Sequence, residues 1–407
     1  MNYLLQREKQ PCTGPRFSSY ISMKAVWLAL VIIFSSLPSG TIRSQVKVRR
    51  IHPGVRILQD ANSEIPFAAQ IVEINLKSAA LSIEAVKAGN RLIGKEPTSV
   101  LVARNRRSDQ MVLAAVNGDF FAPNGIPANI QIINGEIVKM PISRSIFAIA
   151  EQNKPAIGIF SLKASIITKD SLTHIIDSVN GQRTENALTF YNKFRGDDTG
   201  TNTYGSEVRL VPLQQFQVNT SLEMRVTGKR ISEAPMRLNG DSFVLSGHGL
   251  AEVFLKEHIE IDDTVRLRFT FGNGHSKITA AVGGTPRLLR DGKISVEWKK
   301  EGASKAFARM RHPRTAVGYN APADTLYFVT IDGRREGYSI GMTLDELAKY
   351  MRKLGCSNAV NLDGGGSTTM VVKDSIINRP SDPAGERPVS NALLLVSKKQ
   401  QRKMPDN

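Results

Sequence analysis

The sequence predicts an α+β fold in which a mixed, strand-rich sheet is accompanied by few helices. Short apolar or alternating stretches typical of strands recur from residue 71 onward, whereas only residues 98–107 and 343–354 have a helical pattern. A strand pattern at 359–362 runs into consecutive glycines and then into another strand pattern at 368–372. This order is unlike the phosphate loop of nucleotide-binding enzymes, in which a helix follows the glycines.

The first predicted strands come in pairs. Residues 71–76 and 81–86 alternate between apolar and polar and are expected to pair antiparallel. Residues 130–133 and 136–139 flank Asn134-Gly135, a dipeptide that suits the type I′ turn of a hairpin.

The middle of the chain, residues 160–280, is a candidate strand-rich subdomain. Residues 183–206 within it are polar and rich in Gly, Asn and Thr, so they are predicted to form a loop. Residues 145–150 and 156–160, just before this region, are predicted to form another pair of strands, and further strands within it are predicted at 207–211 and 265–271.

The stronger of the two predicted helices covers residues 343–354. Thr343 and Glu346 have the spacing of a capping box, and Gly355 suits the end of the helix. One face of this helix is apolar and carries Leu344, Leu347, Met351 and Leu354.

Aspartates flanked by glycine end several of the apolar strand patterns. Asp363 is followed by Gly364, Gly365 and Gly366, while Asp119 and Asp332 stand in Asn-Gly-Asp and Asp-Gly-Arg sequences. A glycine-rich turn lets backbone N–H groups approach an oxyanion, although a tight hairpin turn is the simpler alternative. The repetition predicts that the three carboxyl groups meet at one site.

The chain resembles the phosphodiester glycosidase family over roughly residues 65–396. The motifs that carry the resemblance are 117–121, Tyr191, 199–202, Glu207, 245–249, 282–286, 311–319, 332–334, 341–348, 361–369 and 386–393. The resemblance implies cleavage of a sugar-1-phosphodiester, such as one of N-acetylglucosamine, on the sugar side. A noncatalytic glycan-phosphate binding protein and a metal-dependent phosphodiesterase that cleaves P–O are the alternatives.

A glycosidase generally needs two carboxyl groups at the scissile bond. The candidates, in order, are Asp363, Asp332, Asp119 and Glu207. Arginine suits the phosphate because its planar fork donates to two oxygens at once. Residues expected to bind the substrate or its phosphate are Asn117, Arg314, Thr315, Gly364, Gly365, Gly366, Ser367, Arg387, His312 and His248. We expect no cofactor because no metal-binding motif is present, with a divalent cation such as calcium as the alternative.

The ends of the chain predict export to the periplasm or beyond the cell. Residues 1–44 read as an extension and signal peptide, in which Met23-Lys24 precedes an apolar run too short to span a membrane. Residues 45–396 are the expected catalytic domain, and residues 397–407 are a basic tail. Cleavage of the signal leaves Cys356 as the remaining cysteine, so an intramolecular disulfide is excluded.

The net charge of +17 favours anionic partners. No nucleic-acid recognition motif accompanies the charge, so a phosphorylated glycan or glycoconjugate is the expected partner. The oligomeric state is left open by the sequence.

Overall fold

Strands are the commonest regular structure in the computed structural model, which describes residues 44–398 except residue 234. The predicted signal peptide and most of the predicted basic tail lie outside the described residues. In chain order the strands are β1 (Ser44–His52), β2 (Val55–Asn62), β3 (Phe67–Asn75), β4 (Leu81–Lys87), β5 (Gln110–Asn117), β6 (Gln131–Ile133), β7 (Glu136–Lys139), β8 (Ile146–Ala150), β9 (Lys154–Gly158), β10 (Leu162–Ile167), β11 (Thr173–Ile175), β12 (Ser178–Val179), β13 (Leu188–Tyr191), β14 (Ser206–Pro212), β15 (Ser221–Ile231), β16 (Phe243–Gly247), β17 (Thr264–Phe271), β18 (Ile278–Gly283), β19 (Arg287–Arg290), β20 (Lys293–Ile294), β21 (Arg314–Tyr319), β22 (Thr325–Ile331), β23 (Asn358–Asn361), β24 (Met370–Val372), β25 (Ser375–Ile376) and β26 (Asn391–Lys398).

Few helices accompany these strands. The α-helices are α1 (Thr98–Arg104), α2 (Leu250–His258), α3 (Lys305–Arg309) and α4 (Leu344–Lys353), and short 3-10 helices lie at Ala88–Asn90, Glu151–Asn153 and Gly365–Ser367. None of the helices between residues 44 and 398 has the length and apolarity needed to cross a bilayer. The predicted α+β class, rich in strands and poor in helices, is confirmed.

The strands form four sheets. Their orders are β1-β2-β3-β22-β21-β23-β19-β20 in the first, β11-β10-β17-β15-β14-β16-β13-β12 in the second, β7-β6-β18-β8-β9 in the third and β25-β24-β5-β26-β4 in the fourth. The sheets are built from antiparallel pairs, and β12 and β13 add a parallel pair to the second. The second sheet therefore contains every strand from β10 to β17, which all lie in the candidate subdomain.

The first and fourth sheets pack face to face and carry a helix on each outer side. Val72 and Ile74 of β3 face a core that also contains Leu113 and Val116 of β5. The alternate residue Ile71 faces the opposite side, where the apolar face of α4 packs against the sheet. On the far side of the fourth sheet, the apolar residues of α1 cover β5 and β26.

Several local predictions are confirmed. β6 and β7 form the predicted hairpin, with Asn134 and Gly135 at positive φ as a type I′ turn requires. β8 pairs with β9, and α4 begins with the capping box of Thr343 and Glu346.

Two local predictions are wrong. β3 and β4 do not pair with each other, because β3 lies between β2 and β22 in the first sheet while β4 pairs with β26 in the fourth. The segment 183–206 is not wholly a loop, since β13 forms within it and pairs with β16. β22, β26 and β16 are distant in the chain from the strands they pair with, so the local pattern carries no information about these pairings.

Candidate active site

Two aspartates from facing sheets meet at one place. Asp119 follows β5 of the fourth sheet, and Asp363 follows β23 of the first. The backbone N–H of Asp363 donates to the carbonyl of Gly118 at 2.9 Å, which brings the two strand ends together. The carboxyl groups lie close enough that the charge of Asp363 raises the pKa of Asp119. We call Asp119 and Asp363 the carboxyl pair.

The buried side-chain amide of Asn117 joins the two sheets next to the carboxyl pair. The Asn117 Oδ1 accepts hydrogen bonds from Thr315 Oγ1 at 2.7 Å and from the Thr369 N–H at 3.1 Å. The Asn117 Nδ2 donates to the carbonyl of Asp363 at 2.7 Å. Asn117 and Thr315, which we expected to bind substrate, therefore hold the strand ends that carry the pair.

Asp119 lies in an enclosed polar setting and is only 2% exposed. Its Oδ2 accepts from the Asn129 N–H at 2.7 Å, and its own N–H donates to Asn391 Oδ1 at 2.8 Å. Burial raises the pKa of Asp119 to about 7, against the opposing effects of the Asn129 N–H and the ammonium of Lys139. A carboxyl with this pKa can hold or release a proton near neutral pH.

Asp363 is half-buried, so the pair opens to solvent on its side. Its Oδ1 accepts from the Gly364 N–H at 2.8 Å. Burial raises the pKa of Asp363 to about 6, while the hydroxyl of Ser367, the Gly364 N–H and the charge of Arg387 act in the opposite direction. Burial thus raises the pKa of both neighbouring carboxyl groups toward neutral pH, where one can be protonated while the other is ionised, as acid and base roles require.

The glycine turn, residues 363–367, is explained by close packing more than by phosphate binding. The N–H groups of Gly364 and Gly365 already donate, to Asp363 Oδ1 and to the Pro313 carbonyl at 2.9 Å, and that of Ser367 donates to the Gly364 carbonyl. Gly365 has a φ of +63°, and a Cβ on Gly366 would lie 2.2 Å from an oxygen of Asp382. The expected oxyanion cradle is therefore corrected: most of these donors are used within the protein.

The prediction that Arg314 binds the phosphate is also corrected. Arg314 is 1% exposed, its Nε donates to the Met342 carbonyl, and its Nη2 donates to the carbonyls of Phe307 and Met310. The guanidinium also lies 4.8 Å from the centre of the Phe307 ring. These contacts give Arg314 a structural role between α3 and the start of α4 in place of the predicted phosphate contact.

Asp332 and Glu207 also have hydrogen-bond partners of their own. The Asp332 carboxylate accepts from the Tyr338 hydroxyl at 2.8 Å, from Asn378 Nδ2 at 3.1 Å and from the Arg379 N–H at 3.0 Å. Asn378 Nδ2 donates as well to the Thr368 carbonyl, so Asp332 supports the glycine turn from behind. These contacts favour a structural role for Asp332, and its catalytic role stays a prediction.

Glu207 lies on β14 of the second sheet and is 3% exposed. Its carboxylate accepts from Thr201 Oγ1 at 2.8 Å and from the Met236 N–H at 2.6 Å. His248 follows β16 of the same sheet. The structure thus places Glu207 and His248 with the second sheet, whereas the carboxyl pair is built by the first and fourth.

Two other predicted residues do approach the glycine turn. Arg387 forms a two-pronged ion pair with Asp382, at 2.7 and 3.0 Å, and its charge lowers the pKa of Asp363. His312 is half-buried, and burial lowers its pKa together with the charges of Arg314 and Arg334. Both side chains belong to the surroundings of the site.

Sequence reasoning missed Lys139 and Arg334 as site residues. Lys139 ends β7, and its Nζ donates to the Ala128 carbonyl at 2.9 Å while its charge acts on Asp119. Arg334 lies over the glycine turn, with Nη2 3.0 Å from where a Cβ of Gly365 would stand. Arg334 belongs to the Asp-Gly-Arg motif already noted, whereas a lysine ending an alternating strand carries no distinguishing signal.

Neither member of the pair lines the cavity of about 420 Å³ between Glu84, Arg107, Glu136 and Lys193. The charges around that cavity are matched within the protein, because Arg107 pairs with Glu84 at 3.2 Å and Lys193 with Glu136 at 2.8 Å. Across the described part of the chain, no three His, Cys, Asp or Glu side chains are grouped as metal ligands. The chemistry of the pair, and not cavity volume, locates the candidate site.

Comparison with known proteins shows a family resemblance in the second half of the chain. Residues 213–396 match the phosphodiester glycosidase family. The chain is 33% identical over 110 residues to N-acetylglucosamine-1-phosphodiester alpha-N-acetylglucosaminidase of Mus musculus, which is 25% of this chain and 21% of the relative. It is 29% identical over 164 residues to the protein of that name from Bos taurus, which is 38% of this chain and 28% of the relative.

The chain therefore spans less than a third of the length of these curated relatives. Its fold is similar to the crystal structure of a hypothetical protein from Synechocystis, with a TM-score of 0.67 and 22% identity over 87% of this chain and 64% of that one. The family match includes Asp332 and Asp363 and begins after Asp119. Residues 213–396 are thus similar to the phosphodiester glycosidase family.

Proposed function

We propose that this protein hydrolyses a sugar-1-phosphodiester, with a sugar similar to N-acetylglucosamine, and cleaves the bond between the sugar carbon and oxygen. The observation that carries the proposal is the carboxyl pair, which a hydrogen bond between the Asp363 N–H and the Gly118 carbonyl brings together and in which burial raises both pKa values, to about 7 for Asp119 and about 6 for Asp363. Glycoside cleavage uses two such carboxyl groups on either side of the anomeric carbon. The family match and the names of the curated relatives support the same substrate class.

The reaction requires one ionised and one protonated carboxyl group. The ionised group either removes a proton from the water that attacks the anomeric carbon, or attacks that carbon itself and forms a glycosyl ester that water then hydrolyses to release the sugar. The C–O bond breaks, and its electron pair leaves with the phosphate as a phosphomonoester. The protonated group can hydrogen-bond the departing oxygen, although a phosphate leaves readily as an anion and depends less on protonation than a sugar does.

An alpha-linked N-acetylglucosamine would make the protein's own carboxylate necessary. The acetamido group of such a sugar lies on the same face as the leaving group, so it cannot attack the anomeric carbon from behind. Substrate assistance is thereby excluded for that anomer. The attack on the face of the sugar opposite the leaving group must therefore come from a group of the protein. Asp363 is half-buried and open to solvent, so it can provide this group.

Hydrolysis in oxygen-18 water tests which bond is cleaved. The methyl phosphodiester of N-acetylglucosamine-1-phosphate is incubated with the protein, and the products are weighed by mass spectrometry. We expect the label in the sugar and none in methyl phosphate, because water adds to carbon. Label in the phosphate product would overturn the proposal in favour of a phosphodiesterase, and absence of turnover with retained binding would favour a noncatalytic binding protein.

The rate should depend on pH as a narrow bell with its maximum between about pH 6 and pH 7. Protonation of Asp363, whose pKa is raised to about 6, removes the carboxylate on the acid side. Ionisation of Asp119, whose pKa is raised to about 7, removes the acid on the alkaline side. The apparent pKa values of the acid and alkaline limbs belong to the coupled pair and not to single residues. They are therefore assigned by comparing the pH dependence of kcat/KM of the wild type with that of Asp119→Asn. Asp119→Asn should lose the alkaline limb, and an unchanged limb would assign it to another group.

Export is also part of the proposal. The positive Met23-Lys24, the apolar run up to Phe34 and the small residues that follow support a cleaved signal peptide. A periplasmic or extracellular location would give the protein access to phosphorylated glycans of the cell envelope or of a host.

A further inference from the structure

The arginines around the glycine turn differ in how fully their guanidinium groups are already bound by carboxylates or carbonyls of the protein. Arg314 is buried against backbone carbonyls, and Arg387 is held by Asp382 in a two-pronged ion pair. Arg311 pairs with Glu346 at the start of α4. Each of these guanidinium groups is committed to the protein itself.

Arg334 is not committed in this way. It is exposed, and its Nη1 makes a long hydrogen bond of 3.4 Å to Ser381 Oγ. Among the described residues, no carboxylate lies within ion-pair distance of it. The charge of Arg334 is therefore available to a bound anion.

The backbone conformation of Arg334 and the absence of a side chain on Gly365 together determine where the Arg334 guanidinium lies. Its own φ is +60°, a left-handed conformation that a residue with a side chain adopts at a cost. Gly365 beneath it has no side chain, and the Arg334 Nη2 lies 3.0 Å from the point that a Cβ would occupy. The Arg334 guanidinium thus lies over Gly365 of the glycine turn, and Gly365 is two residues after Asp363 in the chain.

We propose that Arg334 binds the phosphate of the substrate at the glycine turn and so selects phosphodiesters over neutral glycosides. This inference rests on the function proposed above and names the residue that recognises its phosphate. A guanidinium fork matches two phosphate oxygens and can offset the repulsion between a phosphate and the nearby carboxylate of Asp363. His312, which lies near enough to Arg334 for the two charges to interact, borders the same place.

The test compares Arg334→Ala and Arg334→Lys with Arg335→Ala as the matched control. Arg335 is the adjacent exposed arginine, and its Nη2 donates to the Pro380 carbonyl at 3.0 Å. The substrates are the methyl phosphodiester of N-acetylglucosamine-1-phosphate and the neutral p-nitrophenyl N-acetyl-alpha-glucosaminide. The neutral glycoside shares the sugar and lacks the phosphate, so it reports the carboxyl pair without phosphate recognition.

We expect Arg334→Ala to raise KM for the phosphodiester by about 10- to 100-fold, which is the usual effect of losing a charged hydrogen-bond pair. Its kcat/KM for the neutral glycoside and its thermal midpoint should stay within about twofold of the wild type. Arg334→Lys should recover part of the affinity, because it keeps the charge and loses the fork. Arg335→Ala should match the wild type on both substrates.

Equal losses on both substrates, or no loss on the phosphodiester, would overturn the assignment of Arg334. Calorimetric titration with inorganic phosphate and with the methyl phosphodiester separates this failure from failure of the proposed function. A wild type that turns over neither substrate but binds the phosphodiester, with binding lost in Arg334→Ala, would support the phosphate site without the reaction. Binding of inorganic phosphate alone would identify a free-phosphate site, and absence of binding by either ligand to the wild type would overturn the inference.

Discussion

Asp363→Asn is expected to lower kcat for the sugar-1-phosphodiester by a factor of about 10² or more, because it removes a carboxyl that must ionise for the reaction. The change keeps the volume of the side chain and keeps the Oδ1 that accepts from the Gly364 N–H at 2.8 Å. Binding of the phosphodiester should persist or tighten, since a negative charge near the phosphate is lost. The measurements are steady-state kinetics and calorimetric binding at pH 6.5.

The stability of this variant provides an internal check. Burial raises the pKa of Asp363 to about 6, so the carboxyl favours folding below its ordinary pKa and loses that contribution as the pH rises through about 6. An uncharged asparagine does not lose it. Asp363→Asn should therefore be at least as stable as the wild type at pH 8, measured by denaturant unfolding.

Asp332→Asn is the matched control for Asp363→Asn, because Asp332 is also a buried aspartate at a strand end. An amide there would place a donor against the N–H of Arg379 and the amide of Asn378, at a cost of about 1–3 kcal/mol in unfolding free energy. Its folded fraction should retain kcat within a few-fold. If Asp332→Asn lost turnover while Asp363→Asn kept it, the roles assigned to these residues would have to be exchanged.

Arg314→Ala is expected to reduce the free energy of unfolding by about 3–5 kcal/mol. The substitution leaves the carbonyls of Met342, Phe307 and Met310 without the donor that now reaches them at 2.8–2.9 Å. It also removes the guanidinium from the Phe307 ring. Urea unfolding of the wild type and the variant at pH 6.5 measures the difference.

Arg309→Ala is the control for this loss, since Arg309 is exposed at the end of α3 and its removal should change stability by less than about 0.5 kcal/mol. A phosphate-binding role for Arg314 would give a different pattern. Arg314→Ala would then raise KM for the phosphodiester and leave the unfolding curve unchanged, which would contradict the structural role.

The strongest local signals predicted the parts of the fold that depend on neighbours in sequence. The capping box of Thr343 and Glu346 begins α4, and Asn134-Gly135 forms the turn between β6 and β7. Both depend on hydrogen bonds or backbone conformations within a few residues. The pairing expected between the strands at 71–76 and 81–86 failed because their partners, β22 and β26, lie hundreds of residues away.

The candidate site was likewise predicted in part, and the remainder depended on contacts between distant segments. Residue types and strand-end positions indicated that Asp119 and Asp363 would meet, and the structure brings them together. The same pattern at Asp332 gave no warning of Tyr338, Asn378 and Arg379, which use its carboxylate. Lys139 and Arg334 gained their positions only through contacts made by other strands and by the glycine turn.

The strand-rich α+β class, the phosphodiester glycosidase resemblance and the set of carboxyl and arginine side chains available for chemistry follow from the amino-acid sequence alone. Which of these groups are free to act depends on the folded structure. A side chain's reactivity depends on burial and on the donors and charges around it, and these come from chain-distant segments. Arg314 and Arg334 show this most clearly: one arginine is enclosed by three carbonyls, and the other stands exposed over Gly365 without a carboxylate partner among the described residues.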